Sequence, residues 1–170
     1  MALIINQAHR HTENSIVVQT RLGANVENNQ HKKIEGWELA KADEIRKRYN
    51  LAIFRTEPCG MYNCHGLTFA SRRTRIYEPK EIAKILDHDY YQELDIADLL
   101  PGDIVVYYDS GDAQHSGIII RVDSVGTAKV PIVVSKWGNG QEVIHQVTMC
   151  PYFTGAQIRY YRVRATGGRG

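Results

Sequence analysis

From position 102 onward the chain is punctuated too often for helices. Five β-rich stretches follow one another: Ile104–Tyr108, His115–Asp123, Val130–Trp137, Glu142–Val147 and Gln157–Val163. Asp109-Ser110-Gly111-Asp112 and Gly138-Asn139-Gly140 separate them as turns. Strands this close in sequence pair with their neighbours as an antiparallel meander. The first half reads differently. Gly36 to Asn50 predicts a helix with Trp37, Ala40, Ile45 and Tyr49 along its apolar face and Trp37 as a core anchor. A turn bearing Pro58, Cys59 and Gly60 leads into a second helix, Asn63 to Arg72. Pro79 opens a third, Pro79 to Leu86, in the favoured first-turn position. Residues 87–100 read as a linker or short helix, and Ser15 to Thr20 has strand propensity. Helices first and a meander after predict an α+β fold, with helices packed on one face of a twisted antiparallel sheet.

A length of 170 residues suits one domain, and 43% apolar with 24% charged residues predicts a soluble globule. The expected division is a partly ordered N-terminal extension (1–35), a core domain (36–164) and a flexible tail (165–170). A net charge of +2 gives no argument for nucleic acid, and the clusters Arg72, Arg73, Arg75 and Arg159, Arg162, Arg164 read as solvated faces. Three cysteines, Cys59, Cys64 and Cys150, make no disulfide framework. Cys59 and Cys64 beside His65 fit no common zinc spacing, so neither metal nor cofactor is expected. No stretch approaches the ~20 apolar residues of a membrane helix, and residues 1–6 lack a basic leader. The expectation is a cytoplasmic protein with no membrane partner, or one exported by a dedicated route as an effector. The oligomeric state stays open.

Two residues carry chemistry. Cys64 falls at the start of the second helix, where unpaired N–H groups and the helix dipole favour a thiolate. His115 opens a strand, with the small residues Ser116 and Gly117 leaving room beside its ring. A thiol nucleophile needs such a base, and the base needs a polar group to orient it. Ser135 lies on the next strand, on one face with Val133 and Trp137; His145, one hairpin arm further on, is the alternative. Trp137 reads either as a core residue or as a cover over that pair.

Tyr62-x-Cys64-x-Gly66-Leu67, then Leu100-Pro101-Gly102-Asp103-Ile104-Val105-Val106-Tyr107, then His115-x-Gly117-Ile118-Ile119-Ile120 resemble the NlpC/P60 class of papain-like cysteine peptidases. The resemblance spans residues 57–146. It implies a papain-like fold and a thiol hydrolase of amide or isopeptide bonds in a peptide or protein. Cys64 would be the nucleophile and His115 the base, with Ser135 or His145 third. Tyr62 matches a substrate-side tyrosine of the class. Asn63 and His65 stand where the wall-cleaving members carry Asp and Ser, so these substrate-side positions argue against murein stem peptides. The alternatives are an inactive papain-like binding module, an acyltransferase or deamidase, and a peptidoglycan endopeptidase.

Overall fold

The computed structural model describes residues 14–31 and 33–164. In chain order these form α1 (Gly36–Arg48), β1 (Ile53–Phe54), α2 (Cys64–Phe69), α3 (Pro79–His88), β2 (Tyr91–Leu94), a 3-10 turn (Ile96–Asp98), β3 (Ile104–Asp109), β4 (Asp112–Val125), β5 (Ala128–Lys136), β6 (Glu142–Gln146) and β7 (Gln157–Val163). The seven strands make one antiparallel sheet in the order β1-β6-β5-β4-β3-β7-β2. It stays open, with β1 and β2 at its edges. The expected α+β class holds, and each of the five predicted strands is present.

Alternation along β3 splits the interior in two. Ile104 and Val106 join Ala70, Ile76, Ile82 and Ile85 in a cluster under α2 and α3. Val105 and Tyr107 face the other way, with Ile119, Val133, Trp137 and Val143. Ile45 and Tyr49 of α1 pack against this second cluster. Helices therefore cover both faces, not one. The buried line of α1 is also rotated from the predicted one. Glu38, Ala42, Ile45 and Tyr49 turn inward, while Ala40 is exposed and Trp37 is 67% exposed. Ser15 to Thr20 forms no named strand, only an isolated bridge between Gln19 and Asn25. Yet Val18 and Val26 are buried in the cluster under α2 and α3, so residues 14–31 belong to the domain body. The predicted tail lies outside the described residues.

The arginine clusters are solvated faces only in part: Arg73 and Arg164 are exposed. Arg72 forms a two-pronged pair with the buried carboxylate of Glu142, and Arg162 does the same with Asp103. Arg75 is 8% exposed.

The approach of α2 to the segment before α3 depends on Gly66. A Cβ there would lie 1.8 Å from the Thr74 carbonyl oxygen, a backbone atom that cannot swing aside. Gly66→Ala should therefore cost about 3 kcal/mol, the upper range for overpacking. Urea unfolding of the variant checks this; a midpoint equal to the parent's would show that the contact relaxes freely.

Candidate active site

Asn63 caps α2 and holds it to the next segment. Its side-chain oxygen accepts from the Gly66 and Ile76 N–H groups, and its amide donates to the Ile76 carbonyl. Cys64 is thereby fixed as the first helical residue, 8% exposed. On β4 the N–H and C=O of Ile119 bond to Asp103 and Gly102, on the β3 side. By alternation Ser116 directs its N–H to the β5 side. The β4–β5 ladder, however, begins only at the Gly117–Ser135 pair. That N–H lies where the two strands part and favours the charged form of the Cys64 sulfur.

The expected thiolate is absent at rest. Burial pushes the Cys64 thiol up to about 11, against the pull of the Ser116, His65 and Cys64 N–H groups and of the Lys136 ammonium. A six-residue helix has too short a dipole to reverse this. Iodoacetamide at pH 7 should accordingly label half-buried Cys59 before Cys64, with Cys64 catching up only as the pH approaches 11. Peptide mapping by mass spectrometry gives the order; Cys64 labelling first at pH 7 would overturn the burial argument.

His115 is wholly buried, and neither of its ring nitrogens has a hydrogen-bond partner. Its ring stacks on Tyr152, with centroids 4.0 Å apart and planes 11° apart, and meets Tyr107 at 5.3 Å. Burial first, then the fields of His145 and His65, hold it well below the ordinary imidazole range. It is a neutral base. No hydrogen bond joins it to Cys64. What links their chain segments is the 2.8 Å hydrogen bond between His65 Nδ1 and Ser116 Oγ, the chain neighbours of Cys64 and His115.

Ser135 is not hydrogen-bonded to His115. Its hydroxyl is paired with His145 Nε2 at 2.8 Å and accepts from Trp137 Nε1 at 3.0 Å. His145 in turn spends Nδ1 on the Gln146 carbonyl. The two proposed orienters thus hold each other, and Trp137 covers them at 5.2 Å from the His145 ring. Ser135→Ala should cost about 1 kcal/mol of stability, the worth of a neutral hydrogen bond, and change turnover less than tenfold. A larger rate loss at unchanged stability would return Ser135 to the machinery.

The substrate-side residues are also engaged. Tyr62 donates to Glu142 Oε1 at 2.7 Å, and its ring lies under Lys136 Nζ at 5.2 Å. His65 Nδ1 meets Ser116 Oγ at 2.8 Å. Asn63 is a cap. Trp137 lines a cleft of ≈ 230 Å³ between α1 and the 137–140 turn. Tyr152 and Arg75 line that cleft too, and neither was visible as a site residue in the sequence. Lys136 is wholly buried, with Nζ donating to the carbonyls of Cys59, Gly138 and Gly140. Desolvation brings its ammonium down to about 8.

Among the described residues no group of three or more His, Cys, Asp or Glu could hold a metal ion, and no helix is long and apolar enough to cross a membrane. No family model matches the chain, and neither curated proteins nor solved structures give a match.

Proposed function

We propose that the protein is a cysteine hydrolase that cleaves an amide or isopeptide bond through a thioester on Cys64, as the NlpC/P60-like motifs imply. One observation carries this reading. His115 is a fully buried imidazole with both ring nitrogens unspent, and Cys64 opens a capped helix that is tied to the same strand by the His65–Ser116 hydrogen bond. An unsatisfied buried polar group costs ~1–3 kcal/mol, and nothing in the packing of the sheet requires a histidine there. A proton-transfer role explains the cost.

In the proposed reaction the sulfur attacks the acyl carbon while its proton passes to His115. The imidazolium then protonates the leaving amine as the C–N bond breaks. Water, deprotonated by the same ring, hydrolyses the thioester and returns the thiol. Because the resting groups are both neutral, proton transfer accompanies attack and does not precede it. The N–H groups of Ser116, His65 and Cys64, which act on the sulfur, would serve as donors for the oxyanion.

The test is acid quenching during incubation with a panel of N-acyl peptide amides, followed by intact-mass analysis. An acyl adduct mapping to Cys64, absent from Cys64→Ala, is the expected result. Absence of both adduct and product across the panel would favour a papain-like binding module. The missing thiol–imidazole hydrogen bond is the observation on that side. An amine acceptor in the same assay separates hydrolysis from acyl transfer. Purified murein should release no stem-peptide fragments, because Asn63 and His65 offer no carboxylate or small hydroxyl to a free amine.

A further inference from the structure

Arg75 is the one arginine of its cluster whose charge is left unanswered. Arg72 is neutralised by Glu142. Arg73 is exposed to water. Arg75 is 8% exposed, its Nε has no hydrogen-bond partner, and no ion pair or hydrogen bond reaches its guanidinium among the described residues. Its backbone is pinned by a two-way pairing with Asn29, and its guanidinium lies over the Tyr77 ring at 4.8 Å. The side chain is therefore held in place without being neutralised. A buried charge in that condition is costly unless a partner arrives.

The same side chain lines the cleft, opposite Trp37 and Lys41 of α1 and beside Trp137 and Tyr152. Glu38 lines the cleft too, but its carboxylate is already taken by the Glu35 N–H and by Asn139. It is near enough to feel the Arg75 charge and does not pair with it. Tyr152 connects the cleft to the chemistry, since its ring lies on His115. The volume, ≈ 230 Å³, falls below the ~300–1,000 Å³ of drug-sized pockets and suits a short stretch of chain, not a large cofactor.

We propose that this cleft is the substrate's anion pocket, in which Arg75 takes a carboxylate of a peptide, either an acidic side chain or a chain terminus, and sets the scissile bond at Cys64. This rests on the hydrolase reading and narrows it to acidic peptides. A planar fork of N–H donors fits a carboxylate through two parallel bonds. The aromatic walls, Trp37 and Trp137, would take the flanking aliphatic carbons.

The chain's only two tryptophans both line the cleft, so intrinsic fluorescence reports occupancy without any turnover. Three probes separate the sources of charge: N-acetyl-glutamate α-amide (side-chain carboxylate), N-acetyl-glutamine (terminal carboxylate) and N-acetyl-glutamine α-amide (neither). We expect a saturable change with one or both acids at concentrations at least tenfold below the neutral amide, the size of a charge-assisted contact. Arg75→Gln should erase that preference, and Arg75→Lys should keep part of it. Equal binding of acid and amide by the unmodified protein overturns the proposal without recourse to a variant. So does no saturable change with any probe, an undiminished preference in Arg75→Gln, or inorganic phosphate binding more tightly than the acids. No preference in the unmodified protein, with Cys64 still forming its adduct, removes the anion pocket alone. An intact preference with no adduct removes the hydrolase reading alone.

Discussion

Cys64→Ala should abolish turnover, by on the order of 10⁴-fold or more, while leaving the fold intact. Losing a covalent nucleophile removes the whole two-step route and not one contact in it. The side chain is small, and α2 keeps its Asn63 cap, so the local structure has little reason to change. What the substitution removes is the sulfur that lies near the Ser116 N–H. Ser116 is wholly buried, so losing that neighbour costs about 1–3 kcal/mol. Cys64→Ser is the sharper variant, because a hydroxyl keeps the acceptor and lacks the nucleophilicity. The measurements are kcat/KM on a peptide amide identified by adduct formation, and thermal melting of both variants. Full activity in either would remove Cys64 from the chemistry. Unfolding of both would make it structural. His115→Ala should lose roughly 10²–10⁴-fold, the usual weight of acid–base transfer.

Acid should unfold the protein well above the range set by its carboxylates. Burial holds His65 and His145 down at about 4, from an ordinary 6.5. His115 is lowered as well. In the unfolded chain all three take up a proton near pH 6.5, so below that value the unfolded state binds more protons than the folded one. The stability tied to each ring is complete above 6.5 and is lost progressively as the pH falls toward 4. For His65 and His145 the span is worth about 3 kcal/mol each. Two such losses approach the whole stability of a typical domain, ~5–15 kcal/mol. Thermal melts at pH 7, 5.5 and 4.5 should show a steep fall over that range. A nearly flat profile between 7 and 4.5 would mean that the rings accept protons in place.

The sequence revealed the meander because turn residues mark each boundary and β-branched runs fill the intervals. It missed β1 and β2 for a plain reason. Ile53–Phe54 is too short to show a period, and Tyr91-Gln92-Glu93-Leu94 carries its polar residues on an edge, where no apolar alternation is demanded. The start of α2 at Cys64 was legible from the turn before it. The state of the thiol was not, because its sign is set by burial against the end of the β4–β5 ladder, a long-range fact. The same holds for the serine. Parity put Ser135 on a shared face, but parity cannot say that His145 and Trp137 claim its hydroxyl first. Arg75 was hidden inside a charge run whose three members meet three different fates. The burial of one of them is tertiary: Arg75 pairs its backbone with Asn29, 46 residues away in sequence, and lies over Tyr77.

The strand order also dictates a sequence of events during folding. From β3 through β6 every pairing is a local hairpin, so the middle of the sheet can assemble by short loop closures. Its margins cannot. β3 must wait for β7, whose far side in turn receives β2, and β1 must wait for β6. Residues made early in synthesis thus find their sheet partners only after the C-terminal strands leave the ribosome. Until β7 docks, β3 presents an open, apolar edge to any other nascent copy.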